Sequence, residues 1–171
     1  MKITVRREEP ADYQTVYSLI QEAFASADHA DGDEQELVVR LRKGQAFVPA
    51  LSLVAEAGGR LAGHILFTEI RVGDTVQLAL APLSVLPELQ RKGIGGALVR
   101  AGHEVAAGLG YEYAVVLGSE RFYPRFGYRP AVECGILPPF PVPEENFMAR
   151  NLQGRETRLM GTVVYPPEFG I

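Results

Sequence analysis

Two prolines constrain the centre of this chain. The run Thr75 to Val85 is apolar and long enough for a strand, yet it contains Pro82, and Pro87 follows shortly after it. Proline cannot donate to a sheet ladder, which argues against a regular central strand there. The run predicts a bulged strand that parts from its neighbour, leaving backbone groups free to pair with something else. Directly after it stands Gln90-Arg91-Lys92-Gly93-Ile94-Gly95-Gly96-Ala97-Leu98. A strand, a short turn and a glycine-rich helix start make an anion site. The first N–H groups of a helix have no helical partner, and the helix dipole places partial positive charge beside them. Together they suit phosphate. The glycines let a phosphate approach the backbone, and Arg91 and Lys92 add formal charge. The Walker pattern Gly-x-x-x-x-Gly-Lys-Ser/Thr is absent. The dinucleotide fingerprint fails at its third glycine position, where Leu98 stands.

The rest of the chain frames this segment. Ile3 and Val5 alternate with polar residues and predict a short first strand. Pro10 suits a helix start, and Val16, Leu19, Ile20, Ala23 and Phe24 continue at helical spacing, which predicts a helix from about Ala11 to Phe24. Asp33 precedes Glu36 by three residues, a capping-box pattern for a second helix that ends near Lys43-Gly44. Leu51 to Ala57, Leu61 to Val72 and Thr75 to Val85, separated by Gly58-Gly59 and Gly73-Asp74, predict an antiparallel meander. Gly93 to Ala107 reads as a helix and Tyr113 to Leu117 as a short apolar strand, so this strand and Thr75–Val85 should be parallel, joined by a crossover helix. A short helix around Glu120 to Arg125 and another strand follow. Leu137 to Pro143 is too proline-rich for regular structure. A last strand is expected from about Leu159 to Val164.

Composition narrows the class. The chain has 171 residues, 47% hydrophobic and 22% charged, which predicts a single globular domain over 1–171. No apolar run is long enough for a membrane helix, and Met1 to Arg7 lacks a signal-peptide core. Cytoplasmic placement and no membrane partner are therefore expected. Cys134 alone cannot build a disulfide framework or a multi-cysteine zinc site. A net charge of -4 argues against a nucleic-acid partner.

The hexapeptide Gln90-Arg91-Lys92-Gly93-Ile94-Gly95 matches Gln/Arg-x-x-Gly-x-Gly/Ala, and Phe122-Tyr123-Pro124-Arg125-Phe126-Gly127-Tyr128 matches Phe-Tyr-x-x-x-Gly-Phe/Tyr. In this order of elements the chain resembles the GNAT superfamily of N-acetyltransferases, and its proline-rich end resembles the small bacterial YhbS-like branch. The resemblance implies an α/β (α+β) fold with a mixed, mostly antiparallel central sheet flanked by helices and splayed for the cofactor. It implies acetyl-CoA as cosubstrate, no metal, and direct acetyl transfer to a primary amine through a tetrahedral intermediate. Leu83, Ser84 and Val85 match the strand that pairs with the pantetheine arm, with a backbone N–H near Val85 on the oxyanion. Gln90, Arg91, Lys92, Gly93, Ile94, Gly95 and Gly96 match the pyrophosphate loop. Ser119 stands where many members carry an Asn on the cofactor; a hydroxyl can still hydrogen-bond. Tyr123 matches the general acid. A phenol with an ordinary pKa of about 10 is protonated at neutral pH and can donate to a departing thiolate. Residues alone favour a tyrosine packed in the core with its hydroxyl satisfied; the upstream loop and the family spacing favour the acid.

The general base stays open among Glu69, His64, Glu133 and Glu34. The acceptor is a small-molecule or peptide amine of unstated identity, and the negative net charge favours a cationic one only weakly. Pairing of family members through C-terminal strands makes a homodimer through Leu159–Val164 an open alternative. Two rival readings are a longer acyl-CoA donor and a non-catalytic acyl-CoA sensor module. Asp28, His29, Asp31, Asp33 and Glu34 read as a solvated loop with a helix cap rather than a metal cluster. His103 reads as a surface residue and Cys134 as a buried small hydrophobe. Phe24 is expected to pack, and Phe140, Phe147 and Tyr165 are candidates to cover the cleft.

Overall fold

The computed structural model describes residues 1–171 apart from 26, 28, 29 and 156. Alternating strands and glycine turns set the first half. β1 (Ile3–Arg7), β2 (Phe47–Ala57), β3 (Arg60–Val72) and β4 (Thr75–Val85) pair antiparallel in that order. Gly58 and Gly59 both have positive φ, 62° and 78°, which a two-residue hairpin turn of this hand requires. Between β1 and β2 lie α1 (Tyr13–Phe24) and α2 (Glu34–Arg42). Pro10 to Asp12 form a 3-10 turn, so the α-helix starts two residues later than the spacing predicted. The expected capping box of α2 is not formed. Asp33 makes no side-chain cap bond; instead the Glu34 carboxylate accepts from the Asp31 and Gly32 N–H groups at 2.8 and 3.1 Å.

α3 (Ile94–Gly108) crosses over to β5 (Tyr113–Leu117), parallel to β4. The predicted divergence is present. β4 pairs with β5 through Leu78–Ala114 and Ala79–Val115, and among the described residues the ladder stops there. In the β3–β4 ladder the step from Leu80 to Leu83 opposes the shorter step from Phe67 to Ile65, a bulge at Ala81–Pro82. Leu83 to Val85 thus keep β3 on one edge and have an open edge toward β5.

β8 (Phe147–Asn151) pairs antiparallel with all of β5; the sequence reading missed it. Phe147, Met148 and Ala149 are all buried, so β8 lacks the alternation that marks a half-buried strand. β6 (Arg129–Pro130) lies on its other edge, and β7 (Ile136–Leu137) pairs with β9 (Gly161–Val164). β9 begins later than Leu159 and reaches β3 at Arg71 and Val72. The segment at Glu120–Arg125 is a 3-10 turn over Tyr123–Phe126, ended by Gly127 at φ 89°.

The sheet buries both faces. Leu98, Val99 and Ala106 of α3 pack with Leu53, Ile65 and Phe67. Val16, Leu19, Ile20, Val38 and Leu41 of α1 and α2 pack with Val54 and Leu66. Each such aliphatic side chain contributes roughly 1.5–3 kcal/mol on burial. α3 lies so close that a Cβ on Gly102 would stand 2.2 Å from Phe67 Cε1. Phe24 packs at the margin of the α1–α2 core as expected, and Cys134 is buried.

Candidate active site

The open edge of β4 and the start of α3 enclose a cleft of about 580 Å³ lined by Leu83, Val85, Leu89, Gln90, Arg91, Gly93, Gly95, Gly96, Arg100, Phe122, Arg125 and Phe126. Sequence builds this shape locally. Gly93 takes φ 87° as the residue before α3, a conformation that costs glycine little. The first helical bond runs from Ala97 N to Gly93 O at 3.0 Å, so the N–H groups ahead of it have no helical acceptor. A Cβ on Gly95 would lie 3.4 Å from Phe122 Cζ, so the glycine keeps the floor open. Gln90 ties the loop back to β4, its Nε2 donating to Val85 O at 3.2 Å. Arg91 holds φ 63°, a left-handed conformation unusual for a side-chain-bearing residue. Arg91, Arg100 and Arg125 give the cleft three guanidinium groups and no carboxylate among its lining residues.

Of the expected cofactor residues, Leu83, Val85, Gln90, Arg91, Gly93, Gly95 and Gly96 line this cleft. Ser84 points to the opposite face, buried, with its Oγ unpartnered, so only its backbone faces the open edge. Ile94 is packed in the core and Lys92 is exposed outside the lining. Ser119 folds onto its own turn: its Oγ accepts from Arg121 N at 3.1 Å, and its carbonyl accepts from Phe122 N and Tyr123 N, each at 3.2 Å. Arg100 and Arg125 were not anticipated. Arg100 follows Gly96 by four residues, one helical turn along the same face, which is the signal that could have found it.

Tyr123 lies behind Phe122, which stands edge-on to it at 5.0 Å. It is 9% exposed and does not line the cleft directly. Its ring lies against Gly118, where a Cβ would be 2.5 Å from Cε2. Burial pushes its phenol well above the ordinary range. Its hydroxyl has no hydrogen-bond partner among the described residues.

The four base candidates are scattered. His64 is sealed in the core, where Nε2 meets Ser52 Oγ at 3.0 Å and Glu8 Oε2 at 3.7 Å. Burial lowers its pKa to about 4, partly offset by Glu8. Glu8, unnoticed in the sequence, accepts from Arg42 Nη2 at 2.6 Å and from Ser52 Oγ at 2.8 Å. Glu69 accepts from the Tyr111 hydroxyl at 2.5 Å. Glu133 is exposed, 3.9 Å from Arg129, and Glu34 holds the turn before α2.

Other expectations need correction. His103 is no surface residue: it is 5% exposed, facing Phe67 across the gap that Gly102 allows, and both ring nitrogens have partners. That satisfaction makes its burial tolerable. Phe147 is buried in a cluster with Ile70, Tyr113 and Val163, and Phe140 stacks on Tyr165 at 6.3 Å. Neither aromatic lines the cleft, and Tyr165 instead lines a separate groove with Glu69 and Glu168. Asp31, Asp33 and Glu34 place their carboxylates within 4.8 Å of one another, while Asp28 and His29 lie outside the described residues. Among the described residues no helix is long and apolar enough to cross a membrane.

Comparison with known proteins supplies the family. Residues 13–128 match the model of the acetyltransferase (GNAT) family. The chain is 38% identical over 138 residues to YjhQ of Escherichia coli K12, described as an uncharacterized N-acetyltransferase, covering 76% of each protein. A GNAT family acetyltransferase from Brucella melitensis, solved with acetyl-CoA, superposes with a TM-score of 0.82 at 30% identity over 98% of both chains. YhbS from Escherichia coli, solved with CoA, superposes with a TM-score of 0.86 at 26% identity, over 100% of this chain and 93% of that one. A glycine-rich helix start beside a bulged, splayed strand, joined to a match over two thirds of its length, places this chain in the GNAT family of acetyltransferases.

Proposed function

We propose that the chain, acting as one domain over 1–171, transfers an acetyl group from acetyl-CoA to a primary amine, with the cleft beside β4 as the donor site and Tyr123 as the acid. The observation that carries this is the cleft itself: free helix-start N–H groups, three arginines and an open strand edge share one cavity. Those features fit a molecule with a pyrophosphate at one end and an amide-bearing arm at the other. When bound, acetyl-CoA supplies an activated acyl carbon and a thiolate leaving group. The N–H groups around Gly93 to Gly96, with Arg91, hold the pyrophosphate. The open edge at Leu83 to Val85 offers backbone groups to the pantetheine arm. A backbone N–H near Val85 takes the charge that gathers on the carbonyl oxygen. Tyr123 keeps its proton until the sulfur departs, then donates it. Phe122 lines the cleft and stands edge-on to the Tyr123 ring behind it.

The acceptor is a small-molecule or peptide amine, and a panel of such amines makes the test. CoA release is followed with wild type and Tyr123→Phe. The expected result is turnover with a subset of amines and a fall of about tenfold or more in kcat on losing the hydroxyl, with acetyl-CoA affinity retained. Acetyl-CoA binding without turnover for any amine would favour a sensor role, and absence of binding would overturn the assignment of the cleft.

A further inference from the structure

The cleft holds more positive charge than a pyrophosphate uses. Arg91, Arg100 and Arg125 line it together with the start of α3, and no carboxylate does. Among the described residues none of the three arginines is in an ion pair. The helix start supplies roughly half a positive charge and Arg91 a whole one, close to the charge of about minus two on a pyrophosphate. Arg100 and Arg125 are left over. Both stand over one buried ring: Arg100 Cζ lies 5.1 Å from the centre of Phe126, and Arg125 Cζ lies 5.7 Å from it. Arg125 is held further by the Phe122 ring at 4.9 Å, and its Nε donates to Phe122 O at 3.4 Å. The Arg100 side chain turns back toward the start of α3, as long helical side chains do. Gly96 makes room for it: a Cβ there would stand 3.2 Å from both Arg100 Nη1 and Phe126 Cζ. Two like charges drawn to one ring repel each other, and the ring face attracts each only weakly. An anion bound by both removes that repulsion, and both are exposed, so one can reach them from solvent.

We propose that Arg100 and Arg125 form a second anion subsite, distinct from the pyrophosphate loop, which takes the 3′-phosphate on the ribose of the donor and makes the protein select CoA thioesters over acyl carriers that lack this group. The proposal rests on the reading of the cleft as the donor site. Coenzyme A carries two anionic centres, the pyrophosphate and a terminal phosphomonoester. The latter bears a charge of about −1.5 to −2 at neutral pH, which two guanidiniums balance. The planar guanidinium fork matches phosphate oxygens in pairs, and an ammonium would not. One cavity of about 580 Å³ contains the helix start and both arginines, so a single ligand spans the two subsites. Lys92, the remaining cation of the loop, stands outside the lining. An acyl group on a phosphopantetheine arm alone offers nothing to Arg100 and Arg125 and leaves their repulsion in place.

The test is binding calorimetry at fixed ionic strength with acetyl-CoA and acetyl-dephospho-CoA. The second ligand keeps the pyrophosphate, the arm and the thioester and lacks only the 3′-phosphate. Wild type is expected to bind acetyl-CoA about tenfold or more tightly than acetyl-dephospho-CoA. Arg100→Met and Arg125→Met should each weaken acetyl-CoA by about fivefold to tenfold and acetyl-dephospho-CoA by less than about twofold. Arg91→Met, which touches the pyrophosphate subsite, should weaken both ligands alike. Affinity of wild type should fall more steeply with salt for acetyl-CoA than for acetyl-dephospho-CoA, and the two slopes should converge when both Arg100 and Arg125 are replaced. Misfolding lowers the affinity for both ligands together, so a loss confined to acetyl-CoA reports the subsite itself. Equal affinity of wild type for the two ligands would overturn the proposal. So would equal losses for both ligands in Arg100→Met and Arg125→Met, which would put these arginines on the pyrophosphate. If wild type binds neither ligand, the donor-site reading has failed instead, and the second subsite falls with it.

Discussion

Replacing Gly118 by alanine puts a methyl group 2.5 Å from Cε2 and 3.0 Å from Cδ2 of Tyr123. Ordinary contact begins near 3.4 Å, so one partner must retreat by about 0.9 Å. The backbone at 118 resists: its N–H donates to Asn146 O at 2.9 Å and its carbonyl accepts from Asn146 Nδ2 at 3.0 Å. The Tyr123 ring is the part that yields, and it has Phe122 and Tyr128 edge-on around it. Overpacking of this kind costs roughly 1–3 kcal/mol of stability. A displacement of about 1 Å in a group that must meet a departing sulfur costs on the order of a hundredfold in rate. Three measurements separate the effects: urea unfolding for stability, direct binding of acetyl-CoA, and kcat for CoA release. The expected pattern is a modest loss of stability, acetyl-CoA affinity within about twofold, and a kcat reduced toward that of Tyr123→Phe. A destabilised Gly118→Ala protein with near wild-type kcat would refute the role of Tyr123, since the ring would have moved without consequence.

Two further outcomes follow from single residues. Arg91→Gly should leave stability within about 1 kcal/mol, because relief of a left-handed side-chain-bearing residue offsets the extra chain entropy of glycine. Its affinity for CoA should nevertheless fall about tenfold with a weaker dependence on salt, read from binding isotherms at two ionic strengths. Acid should destabilise the fold through its buried histidines. His64 titrates at about 4 when folded against 6.5 when exposed, so the unfolded chain takes up the proton first. The stability is fully present above about pH 6.5 and falls toward pH 4, by about 3 kcal/mol over the range from this group. His64→Gln should flatten that slope in unfolding curves across the range; an unchanged slope would remove His64 as its source.

The meander, the crossover helix and the glycine-rich helix start were legible in the sequence because each rests on local physics. Gly58-Gly59 can only turn, Pro82 cannot continue a ladder, and the apolar spacing of Ile94, Leu98 and Ala101 has one helical reading. The arrangement behind Tyr123 was not legible. β8 is buried on both faces, so Phe147-Met148-Ala149 carries no period, and nothing in its sequence announces that Arg150 will meet His103, 47 residues away. His103 reads as solvent-facing on composition alone. Its burial depends on Gly102 letting α3 settle against Phe67 and on a cation and a phenol arriving from two other elements. Glu8 is the same case: an acidic residue beside a strand end becomes buried only when Arg42, Ser52 and His64 close around it. Short-range sterics and periodicity therefore determined most of the elements and the cleft loop, while the family was carried by the resemblance of two motifs. Tertiary packing decided which polar residues left water, because a buried charge or imidazole is tolerated only where partners from distant segments satisfy it.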